Sequence, residues 1–396
     1  MEDPERLREL TTEIQRAVDA YIKSEDTADY KTLQACITRL LVCVTKPADV
    51  LYSFRTQAIE NVAIVILIET GIFDALVQKQ GATVTATELA AATGCNKLVI
   101  VRLMRVACAL VFCEETDEMT YRANAITSLL VKPGWKGGLR WAEIIYPAVM
   151  NIRRFLAQAD FVRTGDQSAP SAFEFLEGKS IWKVLEEQPD LRRDFDLFMR
   201  ERRESEQHLW YQNYPPSASL SIGDLKADPE AVLMVDVGGA LGSQLVNFKT
   251  QFPHLPGRYV LQDLQLSESA SYPEGVEVME YDFFTPQPIK GARFYYFRHV
   301  FHNWSDQKCI EILRTVVQAM DSDYSTLLID DFVLPVKGCQ RRAAMSDMLM
   351  MVLLNSMERT STHYEQLLRS AGLEISNIFS VGTNEEAIIE ARIARK

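Results

Sequence analysis

From residue 232 onward, apolar runs of strand length alternate with segments of helical period, and that order leaves few folds open. "AVLMVDVGG", "RYVLQDL", "VEVMEYDFF", "ARFYYFRHVF" and "STLLIDDFVLP" read as strands, with "LGSQLVNFKTQF" and "DQKCIEILRTVVQAM" as helices among them. The alternation predicts an α/β fold, a mostly parallel, twisted, Rossmann-like sheet with helices on both faces. A chain of 396 residues exceeds one ordinary core, so a second domain is expected. The stretch "RTGDQSAPSAFEFLEGK" is rich in Ser, Gly, Pro and charge and reads as the inter-domain loop, dividing the chain into residues 1–163 and 164–396.

The first part reads as helical. "ERLRELTTEIQRAVDAYI" spaces Leu7, Leu10, Ile14, Val18 and Ile22 along one face, and "IENVAIVILIETGIFDALV" is apolar nearly all round, which requires burial in a core or against a second subunit. A short helix capped by Thr85 or Thr87, the turn "TGC", the helix "NKLVIVRLMRVACAL" and a strand pair, "VFCEE" and "MTYRA", follow in winged-helix order. The second helix carries only Arg102 and Arg105 as interior cations, and the whole chain has a net charge of -12. DNA reading is disfavoured on both counts, since nucleic-acid affinity is cation-driven. A homodimer through the apolar helices is expected instead. Seven cysteines without a C-x-x-C pair read as reduced thiols of a cytoplasmic protein, and no residues are read as metal ligands. The charged start "MEDPERLREL" does not resemble a secretory signal, and no apolar run is read as a membrane span.

"VDVGGALGSQL" joins the first strand of the alternating part to a helix. Gly238, Gly239 and Gly242 permit a tight turn and close backbone approach to a nucleotide-like cofactor, but the loop is no G-x-G-x-x-G and lacks a phosphate-binding lysine. Asp263, at the end of the next strand, can accept both ribose hydroxyls. Asp282, at the end of the third, can accept from an adenine amino group, with Phe283 offering the ring an apolar face. Taken in order, these residues point to an adenosine cofactor without a pyrophosphate.

In "ARFYYFRHVFHNW" strict alternation places Arg298, Val300 and His302 on one face and His299 on the other. His302 then lies just past the strand's carboxyl end beside the cofactor crevice, and His299 keeps a structural role. Asp331, with Asp330 as its rival, and Glu358 are the carboxylates that can fix the His302 tautomer and raise its basicity.

These residues resemble the S-adenosylmethionine-dependent O-methyltransferases of the plant caffeate and fungal polyketide type. "SAFEFLEGKSIWKVLEEQPDLRRDFDLFM", "VDVGG", "FRHVFHNWSDQKCIEIL", "LLIDDFVLP" and "ERTSTHYEQLLRSAGL" carry the resemblance over nearly the whole chain. It implies a dimerising winged-helix domain and transfer of the S-adenosylmethionine methyl to a phenolic or enolic hydroxyl of a small aromatic or polyketide-type metabolite. His302 is implied as general base, flanked by Asp331 and Glu358. Gly238, Asp263, Asp282 and Arg298 match cofactor-contacting positions, and Met199, Trp304, Met348 and Met351 are pocket-wall candidates. Three departures stand out: Ala240 where relatives show a third consecutive glycine, Asp331 where plant relatives carry Glu, and Asn303 for the common Asp. Some fungal relatives, of the leporin pericyclase type, use the fold for dehydration or cycloaddition, which is the alternative function; there Arg298 would donate to a substrate carbonyl. Those relatives use a histidine from the helices before the catalytic domain, and this chain has none before His208.

Overall fold

The computed structural model describes residues 4–25, 27–158, 169–205, 210–214, 225–226, 228–264, 266, 272, 274–380 and 386–395. Two compact units emerge, Met1–Glu143 with Asp190–Gln207, and Ile144–Pro189 with His208–Lys396. The division falls earlier than the expected 163/164 boundary, and one helix of the later sequence, Pro189–Ser205, belongs to the first unit. The expected linker lies outside the described residues as far as 168. In its described part, Ser171 caps a helix over Ala172–Glu177 by accepting from Glu174 N–H.

In the first unit, α1 (Pro4–Ser24) packs on α2 (Thr27–Val44). Next, α3 (Pro47–Glu69) begins with proline at its first turn and stops at Thr70, where Gly71 takes φ 71°. Its second half enters a core with Ile64, Leu67, Ile68, Phe73, Ile100 and Met104, whereas Val50, Leu51 and Phe54 of its first half stay exposed. By length and apolarity α3 reaches the range of a bilayer span. This corrects the expectation that no run does so; the extra length comes from "PADVLYSF" upstream of the apolar stretch. Helix Ala86–Thr93 starts with a capping box between Thr85 and Glu88, and helix Lys97–Ala109 is capped by Asn96. With β1 (Val84–Thr85), β2 (Glu114–Asp117) and β3 (Thr120–Arg122) in the order β1-β3-β2, they complete the winged-helix arrangement.

The second unit is built on a sheet of order β10-β11-β8-β7-β4-β5-β6. Five strands, β4 (Val232–Val237), β5 (Arg258–Asp263), β6 (Glu277–Glu280), β7 (Phe294–Arg298) and β8 (Thr326–Leu334), pair in parallel. The two-residue β9 (Arg359–Thr360) adds to the end of β8. The carboxyl-terminal hairpin, β10 (Leu373–Ser380) and β11 (Glu386–Ile393), closes the sheet antiparallel against β8. Central strands are apolar on both faces, as burial between two helical layers demands: Val235, Val260, Tyr295 and Ile329 belong to one core, Met234, Leu261, Tyr296 and Leu328 to the other. Chain order runs away from β4 in both directions, to β5 on one side and β7 on the other. The crevice at the carboxyl end of β4 is therefore the topological switch point where such sheets bind ligands.

Candidate active site

The loop leaving β4 occupies that crevice. Its backbone is left-handed at Gly238 (φ 74°), Ala240 (φ 52°) and Gly242 (φ 73°). The Gly238 and Gly239 N–H groups both donate to the Gln262 carbonyl at 2.8 and 3.2 Å. A Cβ at Gly239 would lie 2.5 Å from Asp236 Oδ2 and from Leu261 Cδ1, so only glycine lets the loop sit this low on β4 and β5. Asp263 ends β5, and its Oδ2 accepts from Ala240 N–H at 2.9 Å. Asp263 thus braces the loop from the end of the neighbouring strand. β6 stops at Glu280, so the exposed Asp282 sits in the following turn and not on the strand; its Oδ1 accepts from Phe284 N–H at 3.0 Å. Phe283 meets Trp304 edge-on at 5.9 Å.

Along β8 successive side chains part company. Asp330 accepts from Tyr296 Oη at 2.6 Å and from Arg298 Nη1 at 2.8 Å, in a fully buried set. Arg298 is thereby engaged in an ion pair, and any cofactor contact has to share its guanidinium with Asp330. Asp331, the neighbour on the other face, accepts from Tyr364 Oη at 2.9 Å. Burial pushes its carboxyl up to about 7; the nearby His302 opposes that rise and Glu358 adds to it. Asp331 lies inside β8, paired across to Ala387, and not at the strand's end.

His302 is where simple alternation fails. β7 ends at Arg298, His299 takes φ 50°, and a 3-10 turn spans Phe301–Asn303. The bend turns His302 to the same side as His299, with ring centroids 5.0 Å apart. His299 in turn lies 3.6 Å from Asp331 Oδ1 and 3.9 Å from Glu386 Oε1, so the expectation of opposite faces is corrected. Asn303 accounts for part of the bend, because its amide donates to the His299 carbonyl at 2.9 Å, which a carboxylate there could not do. His302 itself is 7% exposed, and its Nδ1 stands 2.8 Å from Glu358 Oε1. Glu358 also accepts from Ser346 Oγ at 2.7 Å, and its own N–H donates to Asp347 Oδ1 at 2.9 Å.

Several residues not read as functional hold this geometry. Arg359, fully buried, donates to the Phe301 and Trp304 carbonyls at 2.8 and 2.7 Å and to Asp306 at 2.8–2.9 Å. Ser356 donates to the His302 and Trp304 carbonyls. Asp306 is further bridged to His363 at 2.7 Å. The spaced blocks H-x-W-x-D and E-R-T are therefore one physical unit: Glu358 orients the imidazole while Arg359 holds the turn that carries it. The adjacency of Arg359 to Glu358 in "ERT" was the available signal. Of the wall candidates, Met199 falls in the first unit, and Met348 is 44% exposed on helix Arg341–Leu354.

With this geometry in place, comparison with known proteins decides the family. The O-methyltransferase domain family matches residues 155–374, and the O-methyltransferase dimerisation domain family matches residues 56–133. The chain belongs to the O-methyltransferase family. Demethylsterigmatocystin 6-O-methyltransferase of Aspergillus flavus is 30% identical over 97% of this chain and 98% of its own. Methyltransferase cfoC of Aspergillus candidus is 34% identical over 82% of this chain and 80% of its own. Among solved structures, one described as "A Pericyclic Reaction enzyme" superposes with a TM-score of 0.84 at 27% identity, covering 99% of this chain and 100% of that one. OxaC, solved also with sinefungin and meleagrin, gives 0.83 at 26% over 98% and 99%.

Proposed function

We propose that this member of the family transfers the methyl group of S-adenosylmethionine to a phenolic or enolic hydroxyl of a small secondary metabolite, with His302 as general base. The single observation that carries the reading is the His302–Glu358 contact at 2.8 Å beside the β4 crevice. Glu358 at Nδ1 holds the ring in the tautomer whose Nε2 takes a proton, and its negative charge stabilises the imidazolium that forms. S-adenosylmethionine supplies an electrophilic methyl group on a sulfonium. The residues at the crevice suit such a cofactor: a loop that only glycine can pack so low, and an Asp263 oxygen at the ribose position. Gly238, Gly239, Asp263, Asp282 and Phe283 would hold it, and Trp304 backs Phe283. The chain's own contribution to rate is then positioning and proton removal, since no covalent intermediate is involved.

The first unit supports a homodimer. Leu41, Leu51, Phe54 and Ile59 are each more than 60% exposed on α2 and α3, apolar side chains that a second subunit would cover. A cytoplasmic location is proposed from the cysteine pattern, seven thiols without a C-x-x-C pair.

A second reading, reaction in the same pocket without methyl transfer, draws on the superposition with the pericyclic enzyme. Arg298 pairs with Asp330 through Nη1, so a substrate carbonyl would have to share its guanidinium with that carboxylate, which weighs modestly against this reading. Incubation with methyl-labelled S-adenosylmethionine and a panel of phenols and enolic polyketides tests the choice. Label on an acceptor oxygen is expected; unlabelled, rearranged products with every acceptor would replace the first reading by the second.

A further inference from the structure

We propose that His299, His302 and Asp331 form a binding site for a borderline divalent cation of the Zn2+ class, and that the ion switches the base off by occupying His302. One ligand atom of each residue lies within 4.8 Å of those of the other two. Two imidazoles and one carboxylate are a donor set that suits Zn2+ and its neighbours, not the oxygen-seeking Mg2+ or Ca2+.

Three features indicate a built site. Two of the ligands are held from behind, as metal ligands usually are: Glu358 stands 2.8 Å from His302 Nδ1 and Tyr364 donates to Asp331 Oδ2 at 2.9 Å, while the Glu386 carboxylate faces His299 Nε2 at 3.9 Å, beyond hydrogen-bond length. Asp331 Oδ1 is wholly buried and accepts no hydrogen bond among the described residues, although it faces His299 at 3.6 Å. A carboxylate oxygen buried without a donor is costly, and a cation would remove that cost. Finally, His299 is a non-glycine residue held at φ 50°, with the Asn303 amide fastened to its carbonyl. Backbone strain of this kind persists only where the surroundings enforce it, and here it aims the second imidazole at the other two ligands.

Cation binding stands apart from the proposed function; only the inhibition rests on it. The full chain, stripped with a chelator, is titrated with Co2+, whose visible d–d absorption reports nitrogen and oxygen ligation and whose near-ultraviolet thiolate band would reveal binding at cysteines instead. One equivalent of Co2+, displaced by Zn2+, is expected. The bands should vanish in His299→Ala and His299→Gln, each checked for folding by circular dichroism, and Glu358→Gln should weaken binding about tenfold or more. Absence of the bands in wild type, their survival in both His299 variants, or a thiolate band would overturn the site. If the site binds Co2+ but Zn2+ leaves methyl transfer unaffected, the switch is overturned alone. A protein that binds Co2+ yet methylates nothing would count against the proposed function and leave the site standing.

Discussion

Ala240 and Asn303 show how single side chains set the site. Ala240 adopts φ 52°, a region that costs an L-residue about 1 kcal/mol and glycine almost nothing. Ala240→Gly is therefore expected to raise the unfolding free energy by roughly 1 kcal/mol in a urea titration; an unchanged or lower midpoint would mean that the methyl group packs usefully. Asn303→Asp replaces the donor to the His299 carbonyl by an acceptor. It should cost about 1–3 kcal/mol and reduce turnover, because the bend that brings His302 to Glu358 begins at His299. The sequence resemblance marked both positions as departures. Their meaning was not legible there, since it depends on a left-handed backbone that alternation cannot forecast. The same bend explains why His302 and Glu358 were legible as partners while His299 was misplaced. The choice between Asp330 and Asp331 needed the register of β8 against β7, which sets Asp330 opposite Arg298.

At the scale of elements, the 3-10 turn carrying His302 is fastened to β9 and the helix that follows it by Arg359 and the Asp306–His363 bridge. Arg359→Met should remove the guanidinium's bonds to the Phe301 and Trp304 carbonyls and to Asp306, whose remaining donors do not replace its charge, destabilising by about 3 kcal/mol and lowering kcat more than it raises the cofactor Kd. Equal losses in both would deny Arg359 its positioning role. Asp306 gives a pH signature. Burial works to raise its carboxyl, but hydrogen bonds from His363 and Arg359 outweigh that and hold it below the usual range. With the folded value depressed, its contribution is present above the unfolded value and is lost as pH falls through the folded one. Wild type and Asp306→Asn should therefore differ at neutral pH and converge in acid. The gap should be modest, under about 1 kcal/mol, because the carboxylate is partly exposed. Melting curves from acid to neutral pH test this, and a gap that widens in acid would contradict it. The strands and helices of the alternating part were legible because period and length agree there. The hairpin of β10 and β11 was not read, and it places Glu386 beside His299.

For the whole molecule, the apolar outer half of α3 and the matched dimerisation domain lead to a homodimer. Light scattering at micromolar concentration should give twice the 44.9 kDa chain mass, and Phe54→Asp, at a 78% exposed position, should shift it toward monomer. A monomeric wild type would refute the assignment. The two-domain plan was readable from composition and period, but the return of helix Pro189–Ser205 to the first unit was not, because nothing in local sequence records which core a helix joins. The most direct measurement compares wild type with His302→Ala for transfer of labelled methyl to an accepted phenol or enol, alongside cofactor affinity. A loss of about 10²–10⁴-fold in kcat with cofactor affinity unchanged is predicted; undiminished transfer by His302→Ala would contradict the assignment of His302 as the base.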